Sequence, residues 1–285
     1  MELLTRRDVL AHQASVPWPS IRQVEQDLLL CRSMTAIFGD AFLQRQVAMR
    51  GGTLLHKAHL APPSRFSEDI DLVVFGDRPA DHIRKALRRV LGDVLGPPKA
   101  SVWESVRLAI RNTVRPSKIL KLSYDVPAVS ESGPPIEIKV EANVTERTPY
   151  KRIVDIPFEF VFRRESAAAS LNGYDIHEML GTKMRALFQR RRGRDLFDLF
   201  WALEHAEPPV DPGEIVDSFL HYLRDEGSQA GREEFVAILE DHLSDRGFRS
   251  DTDSLLRNGV RYDPDQAFER VKTELLALLP SLATS

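Results

Sequence analysis

The sequence predicts an α+β protein, in which a mixed sheet flanked by helices is followed by a helical C-terminal part. Alternating polar and apolar residues in segments 69–75 (DIDLVVF) and 136–144 (IEIKVEANV) predict strands. After residue 164, segments with apolar residues at helical spacing predominate. We therefore place a soft boundary near residue 165, between an α/β core at 1–164 and a helical domain at 165–285.

The remaining elements of the first part follow from their apolar spacing and their end signals. Thr53 follows two glycines and is expected to cap the helix that starts there. The residues Gly96, Pro97 and Pro98 end a strongly amphipathic helix. Helices are predicted at 21–38, 53–60 and 80–96. Strands are predicted at 47–52, 105–112, 119–127 and 158–162, with Pro116 in the turn of a hairpin formed by the second and third of these.

The second part is predicted to be helical throughout. Five segments carry apolar residues at intervals of three and four, which is typical of helices packed on a core. They are residues 175–191, 195–205, 213–223, 232–243 and 265–279.

Bulk composition limits the class of protein. Of the 285 residues, 42% are hydrophobic and 28% are charged, and the net charge is −3, which is typical of a soluble globular protein and does not by itself predict nucleic-acid binding. The one cysteine, Cys31, excludes a disulfide framework and is expected to be a small buried apolar residue. The first residues lack a signal-peptide pattern, and no apolar run approaches the roughly 20 residues needed to span a bilayer. We expect a soluble cytoplasmic protein without a membrane partner.

Two acids in the predicted strand 69–75 are the first candidate site residues. Alternate side chains of a strand share a face, so Asp69 and Asp71 point one way while Ile70 and Leu72 point into the core. Two unpaired carboxylates this close repel each other, and a divalent cation such as Mg²⁺ removes the conflict. Two solvated acids at an exposed strand end are the alternative, and acids at strand ends are common.

The glycine pair Gly51 and Gly52 precedes these acids along the chain. Glycines allow tight backbone conformations, and the N–H groups at the start of the following helix suit a triphosphate. An ordinary glycine turn between a strand and a helix is the alternative. The order strand, glycine turn, helix, acidic strand is the one that lets a loop hold phosphates while the acids hold a metal.

A third carboxylate for the metal is sought on the strand 136–144. Glu137, Lys139 and Glu141 share one face of it. If this strand neighbours the acidic one, Glu141 is the first choice and Glu137 the second. A solvent-facing ladder of alternating charges is an equally good interpretation.

The segment from residue 178 to 201 adds charged residues to predicted helices. Lys183 lies close to the apolar face of its helix, where it could extend to solvent or pair with a nucleotide phosphate. Asp195 and Asp198 open the next helix, where acids are also common as a cap and as a third helical residue. The basic residues between the helices could contact RNA phosphates or solvent, and they are Arg190, Arg191, Arg192 and Arg194.

Three of these segments together resemble the AbiEii/MenT nucleotidyltransferase toxins of bacterial toxin–antitoxin systems. They are GGTLLHK (51–57), RFSEDIDL (65–72) and EMLGTKMRALFQRRRGRDLFDL (178–199). The similarity covers residues 30–205, and the combination in this order is specific. It implies a polymerase-β-like core and a helical C-terminal domain that contributes to the active site.

The resemblance also implies residue roles. Asp69 and Asp71 match the metal-binding pair for Mg²⁺ or Mn²⁺, with Glu141 as the added metal ligand. Lys183 and Asp198 match the later lysine and aspartate of the family's active site. The nucleotide-binding residues are then Gly51, Gly52, Thr53, Ser67 and Lys183.

The implied activity is transfer of a nucleoside monophosphate from an NTP to RNA. The implied acceptor is the 3′ end of tRNA, and its modification blocks translation. An antitoxin encoded nearby is the implied partner. Two other classes share these residues: a nucleotidyltransferase that modifies a protein hydroxyl or a small molecule, and a non-catalytic NTP-binding regulatory protein.

Overall fold

The computed structural model describes residues 4–16, 18–110, 113–145 and 147–281, and it describes side chains outside 105–118. The chain forms two compact units. One consists of Met1–Arg107 and Pro116–Tyr174, and the other of Leu108–Arg115 and Asp175–Ser285. Over these described ranges, no helix is both long enough and apolar enough to cross a membrane.

In the described part of the chain, seven strands form one mixed sheet, nearly all of it in the first unit. The strands are β1 (Val47–Arg50), β2 (Asp69–Val74), β3 (Ala100–Ile110), β4 (Thr113–Val126), β5 (Ile136–Asn143), β6 (Val154–Phe162) and β7 (Glu165–Gly173). Their order is β3-β4-β5-β2-β1-β7-β6. β2 is parallel to β5 and antiparallel to β1, so the acidic strand lies at the centre of the sheet.

One face of the sheet is apolar and carries the helices of the first unit. Ile70, Leu72, Leu122 and Val140 are each at most 1% exposed on this face, as the alternation of β2 and β5 predicts. The long helix α2 packs on β5 and β7 and on α5. The helices are α1 (Arg6–Gln13), α2 (Ile21–Gly39), α3 (Ala41–Gln44), α4 (Gly51–Leu54) and α5 (Ala80–Leu95), and the π-helical turn Leu55–His59 continues α4.

Two helix ends follow the rules of local capping. Ser20 and Gln23 form a reciprocal capping box at the start of α2, which satisfies two backbone N–H groups. The predicted end of α5 at Gly96 is confirmed, and Gly96 has a φ of 85°, which favours glycine.

The hairpin of β3 and β4 differs from its prediction. β4 begins at Thr113 and includes Pro116, so the prediction of a turn at Pro116 is wrong. The two strands are separated by residues 111–112, which lie outside the described residues. Proline is compatible with a strand where its missing N–H is not needed for the sheet.

Strand β7 was not predicted from the sequence. Its segment ESAAASLNG is rich in alanine and serine, which lack the bulky apolar alternation that identifies a strand. It pairs with β6 in antiparallel register. Phe162 is the partner of Glu165 next to the turn, and Val154 is the partner of Gly173 at the other end. β7 follows the expected boundary near residue 165 and belongs to the first unit.

The second unit is built from helices. They are α6 (Ile176–Gln189), α7 (Gly193–His205), α8 (Pro212–Asp225), α9 (Arg232–Ser244), α10 (Arg246–Ser250) and α11 (Pro264–Glu274). α6 and α8 approach closely at Gly181, where a Cβ atom would lie 2.6 Å from the Cβ of Ser218. The rings of Phe188, Phe219 and Phe235 pack against one another in the core of this unit.

Candidate active site

Asp69 and Asp71 lie on one face of β2, as the alternation predicts. Both side chains are half-buried. Ile70, which lies between them, and Leu72, which follows Asp71, are buried on the opposite face. The pair therefore belongs to the open face of the central strand, where a ligand can reach it.

The glycine turn lies directly against the second of these acids. Gly51 has a φ of 83°, and a Cβ atom on it would lie 2.0 Å from Oδ2 of Asp71. Arg50, the last residue of β1, is the cross-strand partner of Asp71. Gly51 and Asp71, which lie 20 positions apart in the sequence, are thus in contact, and the turn needs glycine because any side chain would displace the carboxylate.

Ser67 and Arg65 border the same turn. A Cβ atom on Gly52 would lie 2.8 Å from Nη2 of Arg65 and 3.1 Å from Oγ of Ser67. Arg65 is buried, and its Nη1 donates to the carbonyl oxygen of Phe66 at 3.0 Å. The sequence did not single out Arg65 as a site residue, although it lies within the motif RFSEDIDL.

Thr53 does not cap the helix, so the predicted cap is wrong. α4 begins at Gly51 with Arg50 in the cap position, and Thr53 is the third helical residue. Its buried hydroxyl donates to the carbonyl oxygen of Asp69 at 2.5 Å and lies 2.9 Å from the hydroxyl of Ser67. Thr53 therefore fixes the start of β2 against the helix.

Glu141 is the carboxylate on β5 that lies opposite the acidic pair. It is the register partner of Asp71, and Lys121 of β4 is in turn the partner of Glu141. Nζ of Lys121 lies 3.3 Å from Glu141 and 2.6 Å from Glu104.

Glu137, the second choice for this role, lies four residues earlier on β5. It pairs with Nζ of Lys139 at 3.2 Å and accepts a hydrogen bond from Ser123 at 3.1 Å. Lys139 is the register partner of Asp69, so Glu137 lies beyond the acidic pair.

The two acids of β2 are in electrostatic conflict. Burial raises the pKa of Asp69, and the negative charge of Asp71 raises it further, to about 6, against a smaller opposing effect of Lys139. The two carboxylates on this face offer oxygen donors, which are the ligands that Mg²⁺ and Mn²⁺ prefer. The residues present therefore fit a divalent cation.

In the second unit, Lys183 is the centre of a buried ion cluster. Its Nζ lies 2.8 Å from Oδ2 of Asp198 and 3.2 Å from Oδ1 of Asp195, and both acids are fully buried. Arg190 donates to Asp195 from Nε at 2.8 Å and from Nη2 at 3.0 Å. Burial opposes ionisation of Asp195, but Lys183 and Arg190 outweigh it and hold the pKa of Asp195 below its ordinary value.

Asp195 and Asp198 do not form the helix-start arrangement that was the alternative for them. α7 begins at Gly193 after Arg192, so Asp195 is its third residue and Asp198 its sixth. The spacing of three places both acids on the face that meets Lys183. Asp195 has no predicted site role, and its spacing of three from Asp198 is the feature of the sequence that could have indicated one.

The four arginines predicted to contact RNA have acidic partners within the second unit. Arg190 is held by Asp195, as described above. Arg191 pairs with Asp241, and Nη1 of Arg191 lies 3.8 Å from Asp245. Arg192 and Arg194 lie 3.8 Å and 3.5 Å from Asp251. Their positive charge is therefore largely balanced within the chain.

A second cluster of possible metal ligands consists of His12, Asp27 and Cys31. Asp27 is fully buried and accepts hydrogen bonds from Nε2 of His12 at 2.8 Å and from the indole of Trp18 at 2.9 Å. Lys57, two residues before the end of the helical segment that starts at Gly51, also donates to Asp27. The ammonium of Lys57 supplies the cation that this buried carboxylate needs, so the cluster is complete without a metal.

Comparison with known proteins gives two positive findings. Residues 32–274 match the model of a family described as the nucleotidyl transferase AbiEii toxin, of type IV toxin–antitoxin systems. Among solved structures, the nucleotidyltransferase toxin MenT4 of Mycobacterium tuberculosis H37Rv is similar, with a TM-score of 0.57 and 15% sequence identity over 97% of this chain and 91% of that chain. That likeness shows the fold. A search of curated protein sequences found no match.

Proposed function

Because the chain belongs to the AbiEii family of nucleotidyltransferase toxins, we propose that it transfers a nucleoside monophosphate from an NTP to an RNA acceptor, the 3′ end of tRNA. The observation that carries this proposal is the contact between the Gly51 turn and the Asp71 carboxylate. A phosphate-binding turn and a metal-binding carboxylate must be this close if both are to hold one triphosphate.

Asp69, Asp71 and Glu141 would hold Mg²⁺ or Mn²⁺. When bound, the cation supplies charge neutralisation at the phosphates and lowers the pKa of the attacking hydroxyl. The register of Glu141 with Asp71 supports Glu141 over Glu137 as the third carboxylate. Lys121, which pairs with Glu141 in the structure, would then balance the remaining charge.

The glycine turn would bind the triphosphate through backbone N–H groups of Gly51, Gly52 and Thr53. The hydroxyl of Thr53 is engaged by Asp69, so Thr53 contributes its backbone, whereas the hydroxyl of Ser67 borders the turn. Lys183 would neutralise charge that develops on the triphosphate, as cationic groups do in other phosphoryl transfers. Asp198 and Asp195 would orient the Lys183 ammonium.

The toxin role would follow from the chemistry. Nucleotides added to the 3′ end of tRNA prevent its aminoacylation and stop translation. The enzyme would act in the cytoplasm, where NTPs and tRNA are found, and an antitoxin encoded nearby would restrain it.

The direct test incubates the purified protein with total RNA and each labelled NTP in turn. We expect a labelled RNA band of tRNA size for the wild type and none for a folded Asp71→Ala variant. Asp93→Asn, which removes an exposed acid from α5, is the matched control and should retain transfer. Transfer retained by folded Asp71→Ala protein would refute the proposed site.

A protein or small-molecule acceptor is the second candidate. The ion pairing of Arg191, Arg192 and Arg194 favours it, because these arginines offer less positive charge to RNA than their sequence suggests. Label that appears in protein or in a small molecule, and not in RNA, would establish this alternative.

A further inference from the structure

A pocket of about 590 Å³ on the first unit is lined by three arginines. They are Arg7 of α1 and the two residues of the β6–β7 turn, Arg163 and Arg164. Thr5, Asp8 and Ala11 also line it. Among the described residues of the lining, three positive charges stand against one negative charge, so this part of the pocket is electropositive although the whole chain has a net charge of −3.

Asp8 is the single acid of the lining among the described residues, and its hydrogen-bonding groups are already engaged. It accepts hydrogen bonds from the backbone and hydroxyl of Thr5, both at 2.8 Å, and from Nε and Nη2 of Arg163, both at 3.1 Å. Burial raises the pKa of Asp8, but these bonds outweigh burial and lower it to about 2. Asp8 is therefore ionised at neutral pH, and Arg163 balances its charge.

In the part of the chain that the structure describes, no acid balances the charges of Arg7 and Arg164. Neither guanidinium forms an ion pair with any residue that the structure describes, and both side chains are exposed. This distinguishes them from Arg190, Arg191, Arg192 and Arg194, each of which has an acidic partner.

The turn itself is unusual for the residues that it contains. Arg163 has a φ of 53° and Arg164 a φ of 69°, so both central residues of a two-residue hairpin turn are left-handed. Asparagine and glycine are preferred at such positions, because other L-residues are strained there.

A structural reason exists for only the first of these arginines. Arg163 is held by Asp8 and stacks on Phe162, with its guanidinium carbon 4.9 Å from the ring centroid. Arg164 has no comparable contact among the described residues. A strained position occupied by an unpaired cation suggests that the side chain serves a ligand.

We propose that Arg7 and Arg164 bind phosphate groups in the backbone of the acceptor RNA. This inference rests on the proposed function, since it assumes that the acceptor is RNA. The guanidinium group is well suited to phosphate, because its planar N–H groups match the phosphate oxygens. Arg163 holds the turn on α1 and so keeps Arg164 in place.

The test measures binding of fluorescently labelled tRNA by anisotropy over a range of salt concentrations. We expect the double variant Arg7→Gln/Arg164→Gly to bind about tenfold more weakly at low salt, with a slope of log K against log salt that is smaller by about 2. Arg88→Gln, which removes an exposed arginine from α5 that also has no ion-pair partner among the described residues, should bind as the wild type does.

A second readout separates a binding role from a purely structural one. Glycine relieves the left-handed strain at residue 164, so the single variant Arg164→Gly should have a raised Tm while its RNA binding is weakened. A purely structural role for Arg164 would lower the Tm and leave the salt slope unchanged, and that result would overturn the inference.

Label transfer in the same samples keeps the two proposals distinguishable. If the wild type labels no RNA with any NTP, the proposed function fails. If the wild type labels RNA, and the double variant binds tRNA with unchanged affinity and salt slope, the inference about Arg7 and Arg164 fails.

Discussion

Asp69 and Asp71 show how one strand can carry both a core and a site. Their neighbours Ile70 and Leu72 bury their side chains on the other face of β2. Because side chains alternate along a strand, Asp69 and Asp71 must then point to the open face. The raised pKa of Asp69 means that its ionised form is destabilised at this position. A bound cation would remove this destabilisation.

We expect Mg²⁺ to stabilise the protein more strongly as the pH rises through about 6. The folded-state pKa of Asp69 is about 6, above its ordinary value of 3.8, so this group stabilises the metal-free fold at low pH and loses that contribution as the pH rises. A divalent ion binds the ionised acids, so the Mg²⁺-induced increase in Tm should be larger at neutral pH than near pH 5. Calorimetry with and without Mg²⁺ measures this increase.

The double variant Asp69→Asn/Asp71→Asn is the control for that measurement. It should show little Mg²⁺-induced change in Tm at either pH. An increase in the wild type that is the same at both pH values would contradict the electrostatic description of the pair.

Lys57 is a second residue whose role depends on its partner. It donates a hydrogen bond to the fully buried Asp27, and each of the two groups stabilises the ionised form of the other. Lys57→Met should lower the free energy of unfolding by about 3–5 kcal/mol, because it leaves a buried carboxylate without its cation. Urea denaturation measures the loss, and Lys85→Met on the exposed face of α5 should cost little.

The double variant Asp27→Asn/Lys57→Met should recover much of that stability, since it removes both charges. If the double variant is no more stable than Lys57→Met alone, the pair does not act as a buried ion pair.

At the scale of elements, the junction of β1 and α4 at Arg50 and Gly51 shapes the proposed site. Gly51 allows the chain to turn over the Asp71 carboxylate, and Thr53 then ties the helix to the start of β2. The hydrogen bond of Thr53 ties the helix to the strand without involving Gly51, so a change at Gly51 should affect chemistry more than folding.

Gly51→Ala should abolish nucleotide transfer and lower the free energy of unfolding by about 1–2 kcal/mol. The added Cβ would meet Oδ2 of Asp71 at 2.0 Å, and the φ of 83° disfavours alanine. The labelled-NTP assay measures transfer, and urea denaturation measures stability. Gly39→Ala is the control, because a Cβ there would have no atom within 4 Å. Normal transfer by Gly51→Ala would show that the close approach is not needed.

The elements that the sequence predicts well are those with a strong periodic pattern. The helices at α2 and α5 and the strands β2 and β5 have long apolar repeats, so their existence and type follow from periodicity. β7 has small residues, and its strand conformation depends on pairing with β6, which no local pattern reveals. Pro116 suggested a turn from local preference alone, but the ladder of β4 overrides that preference.

The residues of the candidate site also differ in how well the sequence predicts their contacts. The contact of Gly51 with Asp71 and the register of Glu141 depend on the sheet order, which the sequence leaves open. The ion pairs of Arg191 and Arg192 join residues about 50 or more positions apart, so their neutralisation could not be predicted from the basic run itself.

At the scale of the whole molecule, the residues proposed for catalysis are divided between the two compact units. The first unit holds Asp69, Asp71 and the glycine turn, and the second holds Lys183 with its two acids. The proposed function assigns metal binding to residues of the first unit and charge neutralisation to Lys183 of the second.

Lys183→Met should reduce nucleotide transfer by about 100-fold or more while Mg²⁺ binding is retained. The proposed metal ligands lie in the first unit, so we expect their affinity for Mg²⁺ to change little in Lys183→Met. Transfer kinetics with labelled NTP, together with calorimetric Mg²⁺ titration, measure both properties. Lys272→Met removes a half-exposed lysine from α11 of the same unit and is the control. Unchanged transfer by folded Lys183→Met protein would remove the second unit from the mechanism.

The position of a bound metal tests the central claim most directly. Crystals grown with Mn²⁺ and a non-hydrolysable NTP analogue would reveal the ion by its anomalous scattering. We expect the ion about 2.2 Å from carboxylate oxygens of both Asp69 and Asp71, with the triphosphate against the backbone of Gly51 and Gly52. An ion located at His12, Asp27 and Cys31 instead, or a triphosphate bound away from the glycine turn, would contradict it.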